Sequence, residues 1–195
     1  MIRSKLVAIA LAIAPLTAPL FACGHSPPTR LFTLTADASK SPVRYAGPPV
    51  QLESVIMPPG LDGARIVRRA SATQVEARDT EHWAAPLGQL LRQTLTEDLA
   101  ARLPPSFVIY PDAPRPDPTV GIVVDVLRCE DTGTGLAVDA SWSILKPDRS
   151  GIAARGEKRI ERANAGSADA MAESMSAALA ELADAIVADL TRKGP

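Results

Sequence analysis

The chain has 195 residues, of which 46% are hydrophobic, 22% charged and 4% aromatic, and its formal net charge is -1. This length suits one domain with a core of its own. The charge balance argues against a nucleic-acid-binding protein, because neutralising phosphates requires an excess of Lys and Arg. We expect no metal site, because two cysteines and two histidines do not by themselves make a closed zinc site, which needs all four of its ligands close in space.

The N-terminus has the features of an export signal. Arg3 and Lys5 precede an apolar run at residues 6–16, LVAIALAIAPL. This run is shorter than the roughly 20 apolar residues that span a bilayer. We therefore predict that residues 1–22 are a cleaved signal peptide outside the folded domain.

The last four residues of this region, Leu20-Phe21-Ala22-Cys23, resemble the lipobox of bacterial lipoproteins. The resemblance implies cleavage between Ala22 and Cys23, a diacylglycerol on the Cys23 thiol, and a further acyl chain such as palmitate on the new amine. The alternative is an ordinary signal peptide that leaves a free thiol at Cys23. Gly24 follows the cysteine where an Asp would indicate inner-membrane retention, so the resemblance favours the outer membrane.

A short tether is predicted between the anchor and the domain. Residues 23–30 form this tether and residues 31–193 form the domain, which faces the periplasm in this interpretation. The seven residues after Cys23 reach at most about 25 Å when fully extended. Pro27 and Pro28 stiffen them toward an extended form.

The first half of the domain predicts strands followed by a helix. Residues 31–34 are strand-like, and residues 50–56 alternate between apolar and polar positions, as in a half-buried strand. Residues 66–69 and 73–78 predict an antiparallel pair. A helix is predicted with Asp79 or Thr80 as its N-cap, since leucines recur every four residues from Trp83 to Leu103.

The second half repeats this order. Strands are predicted at residues 107–110 and 120–127, at 136–145 after a tight turn, and at 152–163 as a polar edge strand. Gly166 and Ser167 open a final helix whose apolar face includes Met171 and Met175. We predict an α+β single domain in which a mixed or largely antiparallel sheet carries both amphipathic helices on one face.

Catalytic constellations are not evident in the sequence. His25 and His82 have no recognisable Ser or Cys partner, so no catalytic triad is predicted. Asp125 and Asp139 could be neighbours on facing strands, although solvated carboxylates on a sheet surface are the simpler interpretation. We interpret Cys129 as a small buried or edge residue. We expect no enzyme, no catalytic residue and no cofactor apart from the covalent lipid on Cys23.

Two segments resemble a known family. Residues 55–67, VIMPPGLDGARIV, resemble the strand-proline-LD-IV block of the PqiC-type ABC-transport auxiliary lipoproteins, and residues 83–87, WAAPL, resemble the start of their helix. The resemblance implies a non-enzymatic lipoprotein of a system in which an ABC ATPase and permease work with MCE-domain proteins. Such systems move lipids between the inner and outer membranes and support envelope integrity.

The resemblance also implies a role in docking. The lipoprotein is expected to bind the MCE assembly at the outer membrane and to form a homo-oligomer. The candidate partner interface lies in the two resembling segments and comprises Pro58, Leu61, Asp62, Trp83, Pro86 and Leu87. For Trp83 and Leu87, the competing interpretation is that they begin the buried stripe. An assembly factor for another envelope complex and, less favoured, a lipid-anchored hydrolase remain alternatives.

Overall fold

The computed structural model describes residues 27–132, 134–164 and 166–193. The predicted signal peptide and Cys23 lie outside these residues. Eight strands and two helices are described within them, in the order β1–β4, α1, β5–β8 and α2. The strands are β1 (Arg30–Phe32), β2 (Val50–Ile56), β3 (Arg65–Arg69), β4 (Val75–Trp83), β5 (Val108–Ile109), β6 (Val120–Asp131), β7 (Gly135–Leu145) and β8 (Ile152–Ala163). The helices are α1 (Leu87–Arg102) and α2 (Ala168–Lys193).

The strands form one mixed sheet, which confirms the predicted fold class. Strand order follows β1-β4-β3-β6-β2-β5, and β7 continues from β6 to β8. The pairs β6–β7, β7–β8 and β3–β4 are antiparallel, whereas β1–β4, β2–β6 and β2–β5 are parallel. Among the strands that the structure describes, β8 pairs only with β7, so it is an edge strand as predicted.

One hydrophobic core lies between the sheet and the two helices. Alternating residues of β6 and β7 point into it, as the sequence pattern requires; they include Ile122, Val124, Trp142 and Ile144. Met171 and Met175 of α2 are buried in the same cluster, so they are core residues. Helices α1 and α2 also contact each other.

The start of α1 differs from the prediction. Residues 79–83 belong to strand β4, and α1 begins at Leu87 with Pro86 at the N-cap position. The predicted N-cap at Asp79 or Thr80 is therefore wrong. Trp83 is nevertheless 2% exposed, because the end of β4 and the apolar face of α1 contribute to the same core.

Asp125 and Asp139 are not paired across the β6–β7 hairpin. Asp125 lies opposite Ser141, and Asp139 lies opposite Arg128. The Asp139 carboxylate instead accepts a hydrogen bond from Nε of Arg159, at 3.0 Å. This arrangement gives Asp139 a structural partner and does not create a carboxylate pair for acid-base chemistry.

Candidate partner interface

The two segments that carry the family resemblance meet in the structure. The Trp83 amide donates to the Ala64 carbonyl at 2.6 Å, and the Leu87 amide donates to the Gly63 carbonyl at 3.3 Å. These bonds fix residues 57–64, the loop between β2 and β3, against the first turn of α1. We call this contact between residues 57–64 and 83–88 the loop–helix junction.

Asp62 caps α1 from this loop. Its Oδ1 accepts a hydrogen bond from the Gly88 amide at 2.9 Å, while Pro86 at the N-cap position provides no side-chain cap. An amide in the first turn of a helix has no intrahelical partner, and a carboxylate there also interacts favourably with the helix dipole. The Leu61-Asp62 element of the family resemblance therefore has a structural role, which is to cap α1.

Gly88 gives the Asp62 carboxylate room to approach. A Cβ at position 88 would lie 3.0 Å from Oδ1 of Asp62 and 3.1 Å from Cγ of Met57. The sequence analysis missed this residue. The sequence did contain a signal, because Gly88 stands in the first turn of the helix, where a better helix former is expected.

The six candidate interface residues divide into two groups by exposure. Trp83 and Leu87 are buried, at 2% and 5% exposure, so their side chains pack in the core. Asp62 and Pro86 are exposed, and Pro58 and Leu61 are half-buried. The accessible part of the candidate interface therefore consists of one turn of the loop and the residue that precedes α1.

The junction lies just beyond the point where the N-terminal chain enters the sheet. Arg30 pairs with Glu81 in the parallel β1–β4 ladder, both strands run toward the junction, and the Ala84 amide donates to the Phe32 carbonyl at 2.7 Å. The turn between β3 and β4 lies at the opposite end of the same hairpin, four β3 residue steps or about 14 Å away.

A second feature is a partly buried charge cluster between the helices, in which Asp98 and Arg102 are buried. Arg102 donates from Nη1 to Oδ1 of Asp98 at 2.9 Å and from Nε to Oδ1 of Asp184 at 2.6 Å. The Asp37 amide donates to the same Asp98 oxygen at 3.0 Å. We call Asp37, Asp98, Arg102 and Asp184 the interhelical charge cluster. Burial raises the pKa of Asp98 to about 6, although its bonds from Asp37 and Arg102 oppose this rise.

The N-terminal segment, residues 33–40, connects this cluster to β1. It lies along α2, where the Thr35 amide donates to Oγ of Ser176 at 3.1 Å and Lys40 pairs with Asp184 at 3.5 Å. An open groove of about 550 Å³ is lined by this segment and by α2 residues that include Ala177 and Glu181.

The remaining predicted residues have structural environments. Cys129 is buried, its Sγ lies 3.9 Å from Sδ of Met175, and burial raises the pKa of its thiol to about 12. It is therefore a core residue with an unreactive thiol. Across residues 27–132, 134–164 and 166–193, no three His, Cys, Asp or Glu side chains are grouped so as to hold a metal ion. None of the helices in these ranges is long and apolar enough to cross a membrane.

Solved structures of similar fold support the architecture. One, described as an uncharacterized protein, is 18% identical, with coverage of 84% of this chain and 99% of that chain and a TM-score of 0.70. Another, a Xanthomonas campestris protein of the DUF330 family, is 15% identical, with coverage of 85% and 96% and a TM-score of 0.66. No curated protein sequence is significantly similar to the chain.

The sequence match is more specific than the fold. The family model described as "ABC-type transport auxiliary lipoprotein component" matches residues 32–187. This range begins at the last residue of β1 and ends in α2, so it includes β2 to β8, the loop–helix junction and the interhelical charge cluster. The chain therefore belongs to the family of ABC-type transport auxiliary lipoprotein components.

Proposed function

We propose that this protein is the lipid-anchored auxiliary component of an ABC transport system that moves lipids between the inner and outer membranes through MCE-domain proteins. It holds the MCE assembly at the outer membrane, supports envelope integrity, and acts without catalysis of its own. The observation that carries the proposal is the family match over residues 32–187, which follows the lipobox-like residues 20–23 after a short tether.

The position of the loop–helix junction supports a docking role. In this proposal the lipid on Cys23 fixes the N-terminal end of β1 near the bilayer. Because β1 and β4 run in parallel from that end toward Trp83, the junction lies on the side of β1 that faces away from the bilayer in this proposal. Leu61 and Pro86 are accessible there, and the bonds to Ala64 and Gly63 hold them in place. A preformed surface binds a partner with less loss of conformational entropy.

The anchor is tested by processing and by mutation. Globomycin should cause the uncleaved precursor to accumulate, and Cys23→Ser should release the protein from the membrane. A Cys23→Ser protein that stays on the membrane would rule out the lipid anchor. Separation of inner and outer membranes by density gradient tests the predicted sorting.

Docking is tested by photo-crosslinking from single positions in intact cells. A photoreactive amino acid at Leu61 or Pro86 should capture an MCE-domain protein. The matched control is Arg155, which is exposed on β8 and lies outside the junction. If no position captures an MCE protein, the docking proposal fails. Capture of this chain by itself would instead indicate a homo-oligomer interface.

A further inference from the structure

The hairpin of β3 and β4 projects on the side from which the N-terminal chain enters β1. Arg30 lies level with Glu81, and β4 extends from Glu81 back to Val75 before the chain turns. The register between the two strands shifts within the hairpin, so β3 covers the stretch from His82 to Val75 in only four residue steps, about 14 Å at the usual strand rise. The hairpin therefore extends about 10 Å beyond the start of β1 before its turn begins.

The tether is long enough to reach the level of the hairpin tip. Seven residues join Cys23 to Arg30, and in an extended polyproline-like form they would span about 22 Å. A tether that runs beside the hairpin with some slack places the lipid-bearing residue in the same plane as the tip.

The tip has a composition that suits an interface with lipid headgroups. Residues 70–75, ASATQV, are all exposed and contain no charged side chain, although 22% of the chain is charged. Val75 is 55% exposed. The turn between β6 and β7, which presents the uncharged Thr132 and Thr134, lies beside the tip, because Asp131 at the end of β6 is in register with Arg68 of β3.

The tip is held in one conformation. The amides of Ala70 and Ser71 donate to the Gln74 carbonyl at 3.0 and 3.2 Å. The Arg69 guanidinium donates to the carbonyls of Ser71 and Ala72 and pairs with Glu130 of β6. The tip can therefore act as a rigid support at a fixed distance from the domain.

We propose that residues 70–75 lie in the headgroup layer of the membrane that holds the lipid anchor, so that this tip and the lipid together orient the domain. The proposal rests on the proposed anchor at Cys23. Contact at two points prevents the domain from rotating freely on its tether. The loop–helix junction is then held on the far side, facing the periplasm.

The test uses the full lipidated protein, purified from the membranes of a Gram-negative host and reconstituted in vesicles of phosphatidylethanolamine and phosphatidylglycerol. Ala72→Cys carries an environment-sensitive fluorophore. Ser150→Cys, in the exposed turn after β7 at the opposite end of the sheet, is the matched control. The native Cys129 is buried and Cys23 is acylated in the proposal, so neither competes for the label.

Flotation and quenching are measured on the same samples. We expect both variants to float with the vesicles, and we expect headgroup-linked nitroxide lipids to remove most of the emission at position 72 and little of it at position 150. If both labels float and emit equally, the anchor stands but the tip proposal is wrong. If the label at 72 is shielded from water but not quenched by lipid, the tip has a protein partner and the proposal is also wrong. If the protein does not float, the anchor fails and the tip proposal fails with it.

Discussion

Helix α1 is fixed by residues distant in the sequence, whereas the residue directly before α2 caps that helix. The Gly88 amide of α1 donates to Asp62, which lies 26 residues earlier in the chain. In α2, the Ala170 amide donates to Oγ of Ser167 at 3.1 Å. The cap of α1 forms only when the β2–β3 loop is in place, whereas the cap of α2 is made by neighbouring residues of the chain.

The same difference is seen toward the other end of α1. Arg102, in its last turn, donates to the Ala180 carbonyl and to the Asp184 carboxylate of α2. Arg102 is 2% exposed and Asp98 is 0% exposed, so these charges are removed from water. Helix α1 is thus held at both ends by tertiary contacts, and changes there should cost more stability than changes at the α2 cap.

The largest effect is expected from Arg102→Ala. This change leaves the Asp98 carboxylate buried without its cation, and breaking a buried ion pair in this way costs about 3–5 kcal/mol. Urea denaturation followed by the fluorescence of Trp83 and Trp142 measures the change in the free energy of unfolding. Both tryptophans are buried in the core, so their emission reports on the whole domain.

The control for Arg102→Ala is Arg68→Ala. Arg68 pairs with Glu76 at 3.4 Å, and their side chains are 43% and 51% exposed. An exposed pair of this kind contributes about 0–1 kcal/mol. Equal losses from the two substitutions would contradict the view that burial gives Arg102 its importance.

Asp98 should make stability depend on pH. Its pKa in the fold is raised from 3.8 to about 6, so between these values the folded protein binds more protons than the unfolded chain. The Asp98 contribution therefore makes the free energy of unfolding decrease as the pH rises from about 4 to about 6, by at most about 3 kcal/mol. Asp98→Asn removes this contribution. The measurement is the difference in unfolding free energy between Asp98→Asn and the unmodified protein across this range, and a constant difference would contradict the prediction.

Asp62→Ala should cost less than Arg102→Ala. It removes a helix cap with its carboxylate, so we expect a loss of about 1–2 kcal/mol. Hydrogen exchange should become faster at the Gly88 and Leu87 amides before the rest of α1 is affected. Asp62→Asn keeps a capping oxygen and should retain most of the stability. If Asp62→Asn is as unstable as Asp62→Ala, the carboxylate has a role other than capping.

Local patterns account for the part of the fold that was predicted from the sequence. The alternation of residues 50–56 matches β2, and Ser167 marks the start of α2, because both signals lie within a few residues. In β4 the alternation stops after Arg78, because residues 79–82 are all polar and none of them is buried. This part of the strand was therefore assigned to the helix. The parallel pairing of β1 with β4 joins segments about fifty residues apart, and no local pattern encodes it.

The candidate interface was predicted to a similar extent. The segments at residues 55–67 and 83–87 were identified by resemblance, and the structure joins them through Asp62, Gly63 and Ala64. The exposure of these residues could not be predicted, because a tryptophan or leucine beside a helix start can contact a partner or pack in the core. In the structure the side chains of Trp83 and Leu87 are buried in the core, whereas Leu61 is half-buried and Pro86 is exposed.

Ser167→Ala should have the smallest effect. Oγ of Ser167 is exposed to solvent at the start of α2 and satisfies one amide, so we expect a loss of about 0.5–1 kcal/mol. The Ser167 carbonyl still accepts a hydrogen bond from the Met171 amide, so the helix should fray at its first turn and keep its position. Hydrogen exchange should increase at Ala170 while the loop–helix junction stays protected, and Ser167→Asp should restore the cap. A Ser167→Ala protein in which Gly88 also loses protection would mean that the two helix starts are coupled, and the distinction between them would then be lost.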